Sequence, residues 1–100
     1  GVCRLATDDH VDSALELAMA GQRAWYRMPA SERAGILARA ADLFEANAAE
    51  LLALCVAEAG KTLPDAIAEL REAVDFLRYY GAEAQRHFGP PQPLPGPTSV

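Results

Sequence analysis

EAGKTLPDAIAELREAVDFLRYY, residues Glu58–Tyr80, is the stretch that decides the fold. Gly60 suits the left-handed conformation in which many helices end, and Lys61 follows it where a cation favours the negative end of the helix dipole. Thr62 and Asp65 have the spacing of a capping pair, which starts a new helix. The stretch therefore predicts the end of one helix, a short turn and the start of another.

The apolar residues after this turn repeat with the period of a helix. At about 100° per residue they gather on one arc, formed by Ile67, Leu70, Ala73, Val74, Leu77 and Tyr80. We expect this arc to face the core of a helix that has Pro64 in its first turn and ends at about His87. Arg71, Asp75 and Arg78 lie opposite at i, i+4 and i, i+3 spacing, which indicates a solvated ladder of charges.

Three further helices are expected before this one. In the first, Thr7 is a candidate N-cap, Gly21 is a candidate stop, and the apolar stripe is Val11, Ala14, Leu15 and Ala18. Pro29 should open the second, which has a strong amphipathic pattern in Ile36, Leu37, Ala40, Leu43 and Phe44. Asn47 and Glu50 resemble a capping box that breaks the second helix and starts the third.

The third helix is apolar on most of its sides, which predicts deep burial. Its apolar residues are Leu51, Leu52, Leu54, Cys55 and Val56. From Phe88 onward the chain has five prolines in ten residues, which forbids regular structure. The fold class expected for the chain as it stands is therefore all-α, with about four helices over residues 1–88 and an extended proline-rich connector over residues 89–100.

Composition and charge argue against several classes of binding partner for this chain. The net charge is -5, with acidic and basic residues interspersed, which argues against binding to nucleic acid or an anionic membrane. No apolar run approaches the roughly 20 residues that span a bilayer, and the first residues have no pattern of an export signal. Cys3 and Cys55 stand far apart without a second pair or a histidine at ligand spacing, so neither a disulfide framework nor a zinc site is indicated. A reducing cytoplasm is the expected location.

None of the residues with reactive side chains stands in a catalytic pattern. Cys55 lies inside an apolar helical run, without a neighbouring histidine or helix N-terminus that would activate a thiol, and we interpret it as a buried structural residue. His10 and His87 are separated by most of the chain, so we expect surface or helix-end roles for both. We expect no catalytic, cofactor-binding or metal-binding residue in this chain.

The run AGKT, which contains Lys61 and Thr62, has the last residues of a phosphate-binding P-loop. The first glycine of that motif is missing, and the run is entered from a helix instead of a strand. No glycine-rich dinucleotide fingerprint occurs elsewhere in the sequence. We therefore interpret Lys61 as a partner of the helix end.

The chain resembles an aldehyde dehydrogenase. The resemblance runs from ALELAMAGQRAWYRMPASERAGIL through RAADLFEANAAELLAL to the proline-rich exit, and EAGKT followed by EAVDFLRYY is most similar to the 1-pyrroline-5-carboxylate dehydrogenase half of bifunctional proline utilization enzymes. The chain is then an amino-terminal helical piece of the NAD-binding half of a larger α/β fold. Gly81 departs from relatives that commonly have alanine, which would loosen the last helix by about 1 kcal/mol.

The resemblance also implies a reaction, most of whose parts lie outside these residues. Such enzymes attack an aldehyde with a cysteine thiolate, transfer a hydride to NAD and hydrolyse the thioester with a glutamate-activated water. The implied substrate is L-glutamate gamma-semialdehyde, oxidised to L-glutamate in proline catabolism, and FAD would be a second cofactor if a proline dehydrogenase domain is present. The implied partners are the remainder of the enzyme and, in a homo-oligomer, further copies of it.

Glu72 is the one residue that the resemblance places near the aldehyde tunnel. There it would bind the ammonium group of the substrate. Glu69 and Glu72 both border Phe76 on the helix, so we expect either carboxylate to be partly shielded from water. The alternative role for Glu72 is structural, as a tether of its helix through an arginine or a backbone amide.

A second class of function stays open at this point. The chain could be a freestanding helical interaction module whose proline-rich tail binds an aromatic groove. An enzyme fragment accounts for the resemblance along the whole sequence, whereas the module accounts only for the tail. A piece of a larger fold should also display an apolar surface of several hundred square ångströms, which a freestanding module should not.

We predict that the isolated 100-residue chain neither oxidises aldehydes nor binds NAD, because it has no nucleophile, no general base and no dinucleotide-binding fold. The measurements are NADH formation from glutamate semialdehyde and calorimetric titration with NAD. The full-length enzyme under the same conditions is the positive control. Turnover by the purified 100-residue chain would contradict the interpretation.

Overall fold

The computed structural model describes residues 2–91, 94, 96 and 97, and the ordered elements in this part of the chain are all helices. In chain order they are α1 (Asp8–Arg27), α2 (Ala30–Ala46), α3 (Ala48–Ala59) and α4 (Leu63–Phe88). The all-α prediction is confirmed for these residues. The predicted connector over residues 89–100 falls partly outside them, since residues 92, 93, 95 and 98–100 are not described.

The start of α1 follows the predicted N-cap, but its end does not follow Gly21. The Thr7 hydroxyl accepts a hydrogen bond from the His10 amide, and the Thr7 amide donates to His10 Nδ1, so the two residues cap each other. The helix passes through Gly21 and ends at Arg27. Met28 is extended, with ψ 134°, because the ring of Pro29 excludes the residue before it from helical conformation. The stop predicted at Gly21 is therefore wrong.

The break between α2 and α3 occurs at Asn47, as predicted, although the capping box does not form. The Asn47 side-chain amide donates to the Leu43 carbonyl at 2.8 Å, so it caps the end of α2 and not the start of α3. Gly60 ends α3 with φ 64°, which confirms the left-handed cap. Thr62 caps α4 by accepting a hydrogen bond from the Asp65 amide.

The main packing contact is between α2 and α4, and α3 packs against α4 beside it. The buried positions are small: they are Ala30, Ala34, Ala41, Ala66, Val74 and Gly81. The interface therefore brings the two backbones close together. At Gly81 an added Cβ would lie 3.6 Å from the Ala34 carbonyl oxygen and 3.8 Å from the Leu37 Cβ.

Because of this close packing, the buried face of α4 differs from the predicted one. Leu70, Val74 and Leu77 point inward as expected, but Ile67 and Tyr80 are exposed, and Ala66 and Gly81 are buried in their stead. The prediction gave the core to the largest apolar side chains. The close approach of α2 gives it to the smallest, which turns the buried face along the helix.

The deep burial predicted for α3 is also wrong in this chain. None of its residues is buried: Leu51, Leu52 and Cys55 are half-buried, while Leu54 and Val56 are exposed. Within the described residues α3 has only α4 and the end of α2 to pack on, so its other apolar side meets solvent.

We predict that Gly81→Ala stabilises the chain by about 0.5–1 kcal/mol, because alanine fits at ordinary contact distance and has the higher helix propensity. Gly81→Leu should destabilise it by about 1–3 kcal/mol, because the extra carbons must displace α2. Urea unfolding followed by circular dichroism measures both changes.

The matched control is Gly21→Ala on α1, where nothing lies within 4 Å of an added Cβ. This variant should show the propensity gain alone, and Gly21→Leu should not be destabilising. Tolerance of leucine at Gly81 would contradict the close approach of α2 and α4.

Candidate functional site

Glu72 lies midway along α4, on an open groove at the outer face of the helix. The groove is lined by Pro64, Ile67, Ala68, Arg71, Glu72, Asp75 and Phe76. Apolar surface comes from Ile67, which is 37% exposed, and from Phe76, which is 50% exposed. The groove therefore combines two apolar walls with the charged side chains of Arg71, Glu72 and Asp75.

The Glu72 carboxylate forms no ion pair or hydrogen bond with the described residues. Glu72 and Glu69 are both exposed, and the Glu69 side chain is 53% exposed. No arginine or backbone amide among the described residues tethers Glu72. Its carboxylate is therefore available to a partner outside this part of the protein.

The neighbouring carboxylate has a partner. Lys61 Nζ lies 2.7 Å from Glu69 Oε1, and the lysine side chain is 33% exposed. The hydrogen bond to Glu69 raises the pKa of Lys61, so the lysine keeps its positive charge at neutral pH. The Lys61 amide also donates to the Cys55 carbonyl across the end of α3, at 3.4 Å. Lys61 therefore joins the end of α3 to the second turn of α4, and its partner there is Glu69 and not Glu72.

The contacts of Arg78 differ from the charge ladder predicted on α4. Its guanidinium donates to Asp42 Oδ1 at 2.9 Å and to Glu45 Oε1 at 3.2 Å, both on α2. These hydrogen bonds, the first to Asp42 and the second to Glu45, raise the pKa of Arg78. Arg78 therefore ties two helices together and does not pair with Asp75. Sequence spacing on one helix could not reveal this contact, because the partners are 33 and 36 residues away.

The Lys61 and Thr62 side chains of the Gly60–Thr62 turn already have partners within the chain. Lys61 is paired with Glu69, and the Thr62 hydroxyl accepts from the Asp65 amide. The first turn of α4 also contains the negative charge of Asp65, which opposes an anion there. These residues do not fit the pyrophosphate of a dinucleotide, and they leave Lys61 with a structural contact.

The remaining reactive side chains have positions close to those expected. Cys3 is exposed, and Cys55 is half-buried where full burial was predicted. Both histidines lie at helix ends: His10 caps α1, and His87 Nε2 lies 3.0 Å from Glu83 Oε2 in the last turns of α4. The neighbouring Arg86 and His87 lower the pKa of Glu83, Arg86 having the larger effect.

In residues 2–91, 94, 96 and 97, no group of three or more histidine, cysteine, aspartate or glutamate side chains is placed to hold a metal ion. In the same part of the chain, no helix is both long and apolar enough to cross a membrane.

The chain belongs to the aldehyde dehydrogenase family, whose sequence pattern it matches over residues 1–99. Within that family it is similar to the bifunctional protein PutA of Escherichia coli strain K12, at 48% identity over 88 residues, which are 88% of this chain and 7% of PutA. It is also similar to the 2,5-dioxopentanoate dehydrogenase of Saccharolobus solfataricus, at 38% identity over 96% of this chain and 20% of that enzyme.

A solved structure of proline utilization A with proline bound in remote sites has the same arrangement of helices. The TM-score is 0.87 at 47% sequence identity, over 96% of this chain and 10% of that chain. The helices described above are therefore a small part of a much larger fold. This confirms the resemblance to proline utilization enzymes found in the sequence.

We predict that Cys55→Ala in the full-length enzyme leaves the catalytic rate unchanged and lowers the free energy of unfolding by about 1 kcal/mol, because a half-buried side chain loses contacts without a reactive role. Steady-state kinetics and chemical denaturation measure the two effects. The matched control is Cys3→Ala, which should change neither quantity because Cys3 is exposed. Loss of turnover in Cys55→Ala without loss of stability would contradict the structural role.

Proposed function

We propose that the chain is the amino-terminal helical region of an NAD-dependent L-glutamate gamma-semialdehyde (1-pyrroline-5-carboxylate) dehydrogenase. The complete enzyme would oxidise the semialdehyde to L-glutamate in proline catabolism, as one half of a bifunctional protein whose proline dehydrogenase half uses FAD. The observation that carries the proposal is the similarity to PutA, at 48% identity over 88% of this chain. Other dehydrogenases of the family match it less well, at 38% identity for the relative from Saccharolobus.

In the proposed enzyme this chain and the remainder of the polypeptide would have different roles. Residues 1–88 would form a helical subregion beside the NAD-binding domain, and residues 89–100 would connect it to the next part of the fold. We propose that the thiolate, the general base and the groups that hold NAD or FAD lie elsewhere in the polypeptide. In the one turn here that resembles a phosphate-binding loop, Lys61 pairs with Glu69 and the Thr62 hydroxyl caps α4. NAD would accept the hydride of the aldehyde. We also propose that the complete enzyme is cytoplasmic and forms a homo-oligomer.

Glu72 would contribute to substrate recognition in this enzyme. Its carboxylate is exposed on α4 and without a partner among the described residues, while the adjacent Glu69 is paired with Lys61. An amino-acid aldehyde has an ammonium group, which forms a charge-assisted hydrogen bond with a free carboxylate. The absence of a tether supports this role over the structural one.

The freestanding interaction module receives no support from the fold. The similarity to PutA extends over the helices and over the residues that lead into the proline-rich tail. The exposed apolar side chains on α1 and α3 are those of a piece that packs against more protein.

The test of the enzyme proposal is turnover by the full-length protein. NADH formation should be much faster with glutamate semialdehyde than with succinate semialdehyde or propanal, and a preference for either of the latter would overturn the proposal.

For Glu72 we predict that Glu72→Ala in the full-length enzyme lowers kcat/KM for glutamate semialdehyde by roughly ten- to a hundredfold. A charge-assisted hydrogen bond contributes about 1.5–3 kcal/mol, which corresponds to a loss of this size. Aliphatic aldehydes without an amine should lose much less, because they have no ammonium group to bind. Steady-state kinetics on both substrate classes make the measurement.

Two further variants separate charge from structure. Glu72→Gln keeps the shape of the side chain and should reproduce most of the selective loss. Glu58→Ala removes another exposed helical carboxylate, at the end of α3, and should affect neither substrate. Equal losses for both substrate classes in Glu72→Ala would make Glu72 a structural residue.

A further inference from the structure

Phe76 is the neighbour of Glu72 in the open groove on α4. Both side chains line the groove. Residues four apart on a helix lie on the same face, with Cβ atoms about 5–6 Å apart. Long side chains on a helix lean toward its N-terminus, which directs the Phe76 ring toward the turn that contains Glu72. The groove therefore presents a carboxylate and an aromatic ring side by side.

Two tyrosines contact the Phe76 ring from the C-terminal side. The ring of Tyr80, one turn later on α4, has its centroid 5.8 Å from that of Phe76, with the ring planes tilted by 41°. Tyr79 meets Tyr80 edge to face, with centroids 5.1 Å apart and planes at 82°. Aromatic pairs favour such distances and tilts. The tyrosines therefore restrict the Phe76 ring and leave its side toward Glu72 open.

The Phe76 ring has no part in the core of the described chain. It is 50% exposed, whereas the buried positions are small residues. A ring face has negative charge and attracts a cation that lies within about 6 Å of the ring centroid. A cation hydrogen-bonded to the Glu72 carboxylate, at about 2.8 Å, has this ring within reach. A carboxylate beside a ring face favours a cationic ligand over an anionic one.

We propose that Phe76 is a second specificity-determining residue of the substrate site. Its ring would bind the ammonium group of the substrate by a cation–π contact, while the Glu72 carboxylate binds the same group by a hydrogen bond. This inference rests on the proposed function, because an amino-acid aldehyde supplies the ammonium group. The ring also contributes apolar surface that keeps water from the carboxylate, which strengthens the hydrogen bond.

The test compares two substrates that differ only in the ammonium group. Glutarate semialdehyde has the same carbon chain and carboxylate as glutamate semialdehyde but no amine. In the full-length enzyme, Phe76→Leu should lower kcat/KM for glutamate semialdehyde by roughly five- to thirtyfold, because leucine keeps the apolar bulk and loses the ring face. For glutarate semialdehyde the same variant should change kcat/KM by less than about twofold.

Two further substitutions at this position separate the ring face from the shape of the side chain. Phe76→Tyr keeps the ring and should retain most of the preference for glutamate semialdehyde. Replacement of Phe76 by 3,4,5-trifluorophenylalanine keeps the shape but weakens the negative charge of the ring face, so it should reproduce most of the selective loss. This replacement decides the question if Phe76→Leu does not fold. The matched control is Phe88→Leu at the end of α4, where the ring is 71% exposed, and it should affect neither substrate.

Three results would overturn the inference about Phe76. Equal losses for both substrates in Phe76→Leu would make the ring a structural wall. Unchanged kinetics in Phe76→Leu would mean that the ring does not meet the substrate, and unchanged kinetics in the trifluorophenylalanine enzyme would mean that the contact is apolar and not cation–π. Failure of the proposed function looks different, because the unmodified enzyme would then not oxidise glutamate semialdehyde.

Discussion

The close contact between α2 and α4 is the interaction on which the rest of this structure depends. Small residues form it, and a Cβ added at Gly81 of α4 would lie 3.6 Å from the Ala34 carbonyl oxygen of α2, an ordinary van der Waals distance. Because the side chains between the helices are small, the energy comes from close packing of backbone and methyl groups, and little comes from large buried side chains. Every other described feature of α4 is positioned by this contact, including the outer face that contains Glu72.

Two sets of ion pairs fix the ends of this arrangement. Lys61 connects the α3–α4 turn to Glu69, and Arg78 connects the later part of α4 to Asp42 and Glu45 of α2. Exposed ion pairs contribute little to stability by themselves. Their effect here is on geometry and charge: they hold α4 at two points on either side of Glu72, and they neutralise the neighbouring carboxylate. Glu72 and Asp75, which line the same groove, are both left without an ion pair among the described residues and can meet a cationic group.

Because the core is small, much of the apolar surface of the helices is exposed. α1 has no buried residue and α3 has none either, although both sequences are strongly apolar on at least one side. In a complete globular domain such side chains would be inside. Their exposure agrees with a chain that covers 7% of PutA, since most of the surface that would bury them belongs to the rest of such a protein.

Local sequence was sufficient to predict the helices and most of the residues at which they begin and end, because caps and apolar periodicity act within a few residues. Thr7, Gly60 and Thr62 do what their positions predict, and the family resemblance rests on these same runs. Only the tertiary structure decided which face of α4 is buried and what Arg78 binds. The physical reason is range: Ala34 meets Gly81, and Asp42 meets Arg78, across more than thirty residues, so no periodicity within one helix contains that information.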